Sequence, residues 1–497
     1  MSAKPRTVGE LKASGYRPKS VRQEVRDNLK RLLAAKETLF PGILGYERTV
    51  IPGIANALLA GHDLILLGLR GQAKTRLLRA LTTLLDPEIP ILAGSELNDE
   101  PLQPISTWGQ RRLEEAGDEA PIEWLPRDAR YNEKLATPDV SIADLLGDID
   151  PIKAATRKLT FADPEVIHFG IIPRTNRGIF AINELPDLAP RIQVGLLNIL
   201  EERDLQIRGF PVRIPLDILL VFSANPEDYT NRGSIITPLK DRISSQILTH
   251  YPPDARVAAA ITRQEAWTER DTPGVVVPDD FRTLIEEVSI AARESELVDQ
   301  TSGVSARVAI AAIELLVSNL ERRALQTGDR PAYPRLCDLP LLLPAITGKV
   351  EMVYEGEQQG VEVVTRKLIG QAVKKVFDAR FPEVGREVGS GGSEDAGPYA
   401  AILRWFASGN SVVLSDEMPF AEYEAALAKV PGLAEIARGA AKSREERALA
   451  AELILEGLHQ HLKLARHDLD SRVSYKEMLK FQLLRPPRKG RDRGDVN

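Results

Sequence analysis

The stretch that most constrains the fold covers residues 63–75 and reads D-L-I-L-L-G-L-R-G-Q-A-K-T. Its first part, 63–67, is a short apolar run ending at Gly68, which is typical of a buried parallel strand. The residues from Arg76 to Leu81 then have the spacing of a helix. A strand, a loop and a helix in this order turn backbone N–H groups toward one point, so the stretch predicts a polyphosphate site.

The motif in this stretch departs at one position from G-x-x-x-x-G-K-[ST]. Lys74 is expected to reach the outer phosphates, and the Thr75 hydroxyl is expected to hold Mg²⁺. Ala73 stands where the pattern has glycine, which is tolerable if its φ is negative. A strand–turn–helix with a chance lysine remains an alternative for this stretch alone. The predicted nucleotide-binding residues are Gly68, Leu69, Arg70, Gly71, Gln72, Ala73, Lys74, Thr75 and Arg76.

Length, charge and cysteine content narrow the class of protein. At 497 residues the chain is too long for one core, so two or three domains are expected. The net charge of −6 gives no general attraction to nucleic acid, and no nucleic-acid partner is expected. Cys337 is the only cysteine, which excludes an internal disulfide and a thiolate zinc cluster. No secretory signal is visible and no apolar run approaches the roughly 20 residues of a membrane span, so we expect a cytoplasmic protein.

Polar residues follow two further apolar runs. Residues 178–182 are followed by Asn183 and Glu184, and residues 216–222 by S-A-N-P, which contains Asn225. A carboxylate at the carboxyl end of a parallel strand lies where such sheets bind ligands, so Glu184 could orient or deprotonate an attacking water. The Asn225 amide could bond the γ-phosphate or that water, although an Asn before Pro is also an ordinary turn former.

The remaining patterns divide the chain into segments. Ser20 has capping-box spacing ahead of helical apolar positions, and a second helix is expected to open at Ile43. Ile43 and Leu44 could contact an adenine ring or simply pack in the core. Residues 205–214 alternate like a hairpin, and strands are not expected beyond about residue 254. The predicted segments are a leader helix (1–40), an α/β nucleotide-binding core (41–252) with inserts (about 92–175), a helical lid and extension (253–388), a flexible linker (389–397), a helical C-terminal region (398–484) and a disordered basic tail (485–497).

Taken in order, these motifs resemble the AAA+ ATPases of the magnesium-chelatase (subunit I-like) and MoxR clade over about residues 40–350. The resemblance implies an α/β fold: a P-loop parallel sheet sandwiched by helices, then an α-helical lid domain and a small helical C-terminal region. It identifies 68–75 as the Walker A loop, with an A-K-T variant familiar from MoxR members, and 179–184 as the Walker B strand. Asn225 is then the sensor-1 residue, Arg242 in L-K-D-R resembles an arginine finger that acts on a neighbouring subunit, and Arg307 in S-A-R resembles the sensor-2 arginine.

The resemblance also implies a function. It implies an ATPase that uses ATP and Mg²⁺ in a homo-oligomeric ring, a hexamer, to remodel or activate a partner protein, in metal insertion or complex maturation. The implied partner carries a von Willebrand A type domain. The Mg²⁺ site would comprise Thr75 and Asn183, acting through nucleotide and water. Walker B strands usually end in Asp-Glu, whereas this chain has Asn183-Glu184, which predicts weaker Mg²⁺ binding and slow hydrolysis with Glu184 still catalytic.

Other functions remain open at this point. Asn183 also fits an ATP-binding switch or scaffold with little hydrolysis, and the resemblance also allows the motor subunit of a metal chelatase. A GTPase is less favoured because no Asn-Lys-x-Asp signature is present. A nucleic-acid motor is disfavoured by the net charge.

Overall fold

The computed structural model describes residues 4–157, 166–206, 213–226, 234–271, 274–384, 397–469 and 472–478. The chain divides into two compact units, Met1–Tyr251 and Pro252–Asn497. Within the described residues, none of the helices combines the length and apolar character that a membrane span requires.

The first unit is an α/β unit. Its helices are Val8–Ala13 (α1), Val21–Ala34 (α2), Val50–Leu59 (α3), Lys74–Ala80 (α4), Thr107–Ala116 (α5), Ile142–Leu145 (α6), Pro151–Arg157 (α7), Ile171–Arg174 (α8), Pro190–Gly195 (α9), Leu197–Glu201 (α10) and Thr237–Arg242 (α11). Its strands are Leu64–Leu67 (β1), Glu88–Leu92 (β2), Ile122–Pro126 (β3), Tyr131–Leu135 (β4), Gly147–Ile149 (β5), Ile167–Phe169 (β6), Gly178–Asn183 (β7), Asp204–Gln206 (β8), Arg213–Pro215 (β9), Ile218–Ala224 (β10) and Ser245–Leu248 (β11).

The central sheet has five strands in the order β11-β1-β10-β7-β4, and all its pairs are parallel. Leu67 at the end of β1 pairs with both Ala224 and Leu248, so the carboxyl ends of three adjacent strands lie side by side. Successive residues of β1 enter two separate apolar clusters, Leu64 and Leu66 on one face and Ile65 and Leu67 on the other. Both faces of the sheet are therefore covered, which explains the unbroken apolar run in the sequence. The predicted α/β fold, a parallel sheet between helices, is confirmed.

Helix α2 lies in the predicted leader segment and packs within this unit. The predicted capping box between Ser20 and Gln23 is present, and Val25 is buried. Arg130 forms a bidentate ion pair with Glu24, at 2.7 and 2.6 Å, and both side chains are buried. Because Arg130 directly precedes β4, this pair fastens α2 to the edge of the central sheet.

Two sequence expectations for this unit need correction. Strand β4 lies inside the range assigned to inserts, and its Y-N-E-K-L sequence was not recognised because an edge strand with half-exposed side chains lacks a continuous apolar run. The helix expected from Ile43 begins only at Val50, because Gly42 and Gly45 adopt positive φ and form a turn. The expected hairpin at 205–214 is present as the antiparallel pair β8–β9, and residues 207–212 lie outside the described range.

The second unit is mainly helical. Its helices are Ala255–Glu265 (α12), Asp279–Glu294 (α13), Arg307–Thr327 (α14), Leu343–Thr347 (α15), Tyr354–Gln359 (α16), Val361–Arg380 (α17), Ala400–Ala407 (α18), Phe420–Ala428 (α19), Leu433–Arg438 (α20) and Arg444–Gln460 (α21). Its strands are Val412–Ser415 (β12), Leu464–Leu469 (β13) and Arg472–Glu477 (β14).

The three strands of the second unit form an antiparallel sheet in the order β12-β14-β13, which corrects the expectation that strands end near residue 254. Strand β12 has only four residues, and in β13 and β14 polar or charged residues interrupt the apolar ones, so a long apolar run of the kind by which strands were predicted is lacking in these three strands. The predicted linker, apart from Gly397, and the predicted basic tail lie outside the described residues.

Candidate nucleotide site

The phosphate loop occupies residues 68–73, between the end of β1 and the start of α4. A Cβ on residue 68 would lie 1.9 Å from the Thr249 hydroxyl oxygen and 2.1 Å from Oε1 of Gln72, so only glycine fits there. Gly71 has φ +73 and Ala73 has φ +54, both in the left-handed region. The condition set for Ala73 from the sequence, a negative φ, is therefore not met. The alanine keeps the backbone conformation that a glycine would adopt without strain.

Lys74 connects the loop to a second strand end. It is 7% exposed. Its ammonium group donates hydrogen bonds to the carbonyl oxygens of Gly68 and Leu69 and, at 2.5 Å, to Oδ1 of Asn225. Asn225 directly follows β10, the neighbour of β1 in the sheet. Two residues that are 151 positions apart in sequence are thus brought into direct contact.

Asn225 continues this chain of contacts to Glu184. Its Nδ2 donates to Oε2 of Glu184 at 2.6 Å. Glu184 directly follows β7 and has φ +57, an uncommon conformation for a residue with a side chain. The Glu184 backbone N–H donates to the hydroxyl oxygen of Ser223, at 3.3 Å. The structure therefore brings the predicted Lys74, Asn225 and Glu184 together at the ends of three adjacent strands.

Thr75 and Asn183 form a second set of contacts beside the first. The Thr75 hydroxyl donates to Oδ1 of Asn183 at 3.3 Å, and the Ser223 hydroxyl donates to the same oxygen at 3.1 Å. Ser223 was not predicted as a site residue, although its place one residue before the end of β10 is a signal that could have identified it. The Thr75 side chain reaches this pocket from the first turn of α4.

The residues around Thr75 fit a Mg²⁺ ion only if phosphate oxygens supply most of its ligands. The protein offers the Thr75 hydroxyl and the Asn183 amide oxygen, which are oxygen donors of the kind Mg²⁺ prefers but carry no charge. Across the described ranges, no group of three or more His, Cys, Asp or Glu side chains could hold a metal ion. A Mg²⁺ ion would therefore be held jointly with a nucleotide, with Thr75 as a hydroxyl ligand and Asn183 bonded to the ion's water shell.

The other predicted loop residues take different positions. Gln72 is buried, and its Oε1 accepts a 2.7 Å hydrogen bond from the Thr249 hydroxyl, so its side chain is committed to the end of β11. The Arg76 side chain is exposed on α4. The carbonyl oxygen of Leu69 accepts a hydrogen bond from the Lys74 ammonium group. Thr249 was missed by the sequence analysis. Its position directly after β11, the other strand that pairs with β1, could have identified it as a site residue.

The two predicted arginines belong to different units of the chain. Arg242, at the end of α11, donates from Nε to Glu201 at 2.7 Å and from a terminal nitrogen to the Pro238 carbonyl at 3.0 Å. Among the described residues, its partners do not include Lys74, Asn225 or Glu184. Arg307 is exposed at the first position of α14 in the second unit, and its sensor role stays a prediction.

No protein-family model matches the chain. Among solved structures, the chain is similar to one from the complex between the BchI and BchD subunits of magnesium chelatase, with 19% identity, 65% of this chain and 98% of that chain covered, and a TM-score of 0.33. A putative ATPase from Cytophaga hutchinsonii matches with 16% identity, 74% and 98% coverage, and a TM-score of 0.29. NtrX from Brucella abortus matches with 16% identity, 71% and 66% coverage, and a TM-score of 0.37. The matching structures thus include a magnesium-chelatase complex and a putative ATPase.

Proposed function

We propose that this chain is a Mg²⁺-dependent ATP hydrolase of the AAA+ type. The observation that carries the proposal is the continuous set of contacts from the phosphate loop through Lys74 and Asn225 to Glu184. A cation, an amide and a carboxylate meet there beside a loop of left-handed backbone. This combination suits phosphoryl transfer, because catalysis of that reaction consists almost entirely of positioning and of stabilising charge on the transferred group.

Each residue of the cluster has a distinct role in this proposal. The loop N–H groups and the Lys74 ammonium bind the phosphates, and Lys74 exchanges its contact with Asn225 for phosphate oxygens when ATP binds. Glu184 accepts a proton from the water that attacks the γ-phosphorus, as the bond from that phosphorus to the β–γ bridging oxygen breaks. The Asn225 amide, which already bonds the carboxylate, orients that water. Mg²⁺, held through the Thr75 hydroxyl and the water shell beside Asn183, would offset the negative charge of the phosphates.

We further propose that the active form is a homo-oligomeric ring, a hexamer, in which Arg242 acts on the site of a neighbouring subunit. Support comes from its position: the described partners of Arg242 are Glu201 and Pro238, not members of its own nucleotide cluster. An arginine supplied in trans contributes about 10³ to 10⁵ in rate in related chemistry, so a lone subunit would be nearly inactive. The ring would remodel or activate a partner protein, one with a von Willebrand A type domain, in metal insertion or complex maturation in the cytoplasm.

Separate measurements of ATP binding and hydrolysis test the proposal. We expect Lys74→Ala to lose ATP affinity and Glu184→Gln to keep that affinity while losing hydrolysis by at least about a hundredfold. Lys367→Ala, which removes an exposed lysine of the second unit, is the matched control and should change neither quantity. Absence of ATP binding by the wild type, or full hydrolysis by Glu184→Gln, would contradict the proposal.

A second function, an ATP-binding switch with little turnover, is favoured by one observation. Asn183 places a neutral amide where a carboxylate would strengthen Mg²⁺ binding, and its oxygen already accepts from Thr75 and Ser223. Tight ATP binding by the wild type without turnover at any protein concentration would select this function instead.

A further inference from the structure

Two tyrosine hydroxyls bond the backbone of the phosphate loop. The Tyr46 hydroxyl donates to the Gln72 carbonyl at 2.9 Å, and the Tyr251 hydroxyl donates to the Arg70 carbonyl at 3.1 Å. Tyr46 lies in the turn before α3, whereas Tyr251 follows β11, so the two contacts come from different segments of the unit. The carbonyl groups of Arg70 and Gln72, two positions apart in the loop, are therefore each held by a tyrosine side chain.

These contacts determine where the loop points its N–H groups. In a planar trans peptide the C=O of one residue and the N–H of the next point in opposite directions. Because Tyr251 holds the Arg70 carbonyl, the N–H of Gly71 points away from the Tyr251 ring. Because Tyr46 holds the Gln72 carbonyl, the N–H of Ala73 points away from the Tyr46 ring. Gly71 and Ala73 are also the two loop residues with positive φ, and Gln72 between them has negative φ. Such alternation turns successive N–H groups into one anion-binding concavity.

Tyr46 is held firmly enough to serve as a fixed donor. It is 5% exposed, and its ring meets that of His250 edge-on at 5.0 Å. A ring nitrogen of His250 lies 2.7 Å from the Thr49 hydroxyl oxygen, which fixes the histidine in turn. Burial raises the pKa of Tyr46 to about 12, so its hydroxyl stays protonated at neutral pH. The Tyr46 hydroxyl oxygen also lies 2.8 Å from the His250 carbonyl oxygen, so its hydrogen is shared between the carbonyl oxygens of Gln72 and His250.

We propose that Tyr46 and Tyr251 are positioning residues that preorganise the loop N–H groups of Gly71 and Ala73 for the β-phosphate of a nucleoside diphosphate or triphosphate. This inference rests on the proposed function in that the loop must bind a nucleotide. Neither tyrosine contacts the phosphate itself. Each acts through one peptide group, so its loss weakens phosphate binding while the loop remains in place.

The test compares nucleotides that differ in the β-phosphate. Calorimetric titrations with ADP and with AMP are made on the full chain for wild type, Tyr46→Phe and Tyr251→Phe. One neutral hydrogen bond contributes about 0.5–1.5 kcal/mol, so each variant should lose about threefold to tenfold in ADP affinity and less than twofold in AMP affinity. Tyr399→Phe is the matched control, because it removes a hydroxyl bond to the Pro382 carbonyl in the second unit and should change neither affinity.

The possible results separate this inference from the proposed function. Wild-type binding of ADP with unchanged affinity in both variants would overturn the inference and leave the function intact. Equal losses for ADP and AMP would also overturn it, since they would indicate a general structural effect of the substitutions. Failure of the wild type to bind ADP would overturn both.

Discussion

Ala73 carries backbone strain at the centre of the phosphate loop, with φ +54 and ψ +19. A side chain in the left-handed region is disfavoured by roughly 1–2 kcal/mol. Glycine avoids this strain but loses more conformational entropy on folding, so only part of the strain energy is recovered by the substitution. We therefore expect Ala73→Gly to stabilise the first unit by about 1 kcal/mol, measured by denaturant unfolding.

The same substitution at the end of helix α4 gives a control of opposite sign. Ala80, the last residue of α4, has right-handed helical angles. Ala80→Gly should destabilise the unit by up to about 1 kcal/mol. A destabilising Ala73→Gly would contradict the role assigned to the left-handed conformation.

The Asn183 side chain beside Thr75 is neutral, so Asn183→Asp tests whether the lack of a negative charge there limits the rate of hydrolysis. Charge-assisted contacts exceed neutral ones by about 1 kcal/mol, and we expect the Mg²⁺ concentration for half-maximal hydrolysis to fall about fivefold. Hydrogen bonds from Arg79 lower the pKa of the nearby Glu133, so this carboxylate stays ionised, and the Arg79 guanidinium offsets its negative charge. Asn410→Asp adds the same charge in the second unit and should have no effect. No gain with Asn183→Asp would show that the amide does not slow the reaction.

At the scale of elements, the buried pair of Glu24 and Arg130 joins helix α2 to strand β4. Removing one partner leaves the other charge buried and unpaired, which typically destabilises by about 3–5 kcal/mol. We expect Arg130→Met to lower the free energy of unfolding of the first unit by this amount. Asp27→Asn, also on α2, breaks the exposed pair with Lys19, which precedes the helix, and should leave the unfolding midpoint unchanged. Equal effects of the two substitutions would contradict the structural role of the buried pair.

A second feature at this scale is the buried carboxyl group of Glu286, on helix α13. Burial raises its pKa from 4.5 to about 7, against smaller opposing effects of the Thr262 hydroxyl bond and the Arg293 charge. The folded state therefore holds this proton between about pH 4.5 and 7, where the unfolded state releases it. Stability of the second unit should fall by roughly 3 kcal/mol as pH rises through this window and stay constant above it.

Hydrogen exchange of the α13 amides between pH 5 and 8, corrected for intrinsic rates, measures this change. Glu286→Gln should abolish the fall in stability, whereas Glu294→Gln, an exposed change on the same helix, should preserve it. A pH profile that is the same in the wild type and in Glu286→Gln would contradict the assignment.

The predictability of elements from the sequence follows from how their side chains are buried. Strands β1, β7 and β10 are buried on both faces, so they appear as apolar runs, and Lys74, Glu184 and Asn225 follow at motif offsets. Strand β4 has polar side chains at a sheet edge and gave no such signal. The contacts of Tyr46 and Tyr251 are made to backbone carbonyls, which accept from any donor and therefore leave no motif in the sequence.

At the scale of the whole molecule, the sequence predicted the α/β unit and the helical character of the second unit, but not the sheet of β12, β13 and β14. Apolar periodicity reports burial against a neighbouring element and does not specify which residues pair between short strands. The oligomeric ring is a property at this scale too, because the proposed site needs Arg242 from another copy of the chain. Activity per subunit should therefore depend on protein concentration.

Steady-state ATP hydrolysis measured against protein concentration, with mass-based sizing in parallel, tests the central claim most directly. We expect activity per subunit to rise steeply as oligomers form, and to be lost in Glu184→Gln and, by about a thousandfold, in Arg242→Ala. Glu201→Gln is the matched control, since it breaks the ion pair of Arg242 but keeps the arginine, and it should retain activity. Hydrolysis that is independent of oligomer formation, or that survives Arg242→Ala, would contradict a ring ATPase with a site completed in trans.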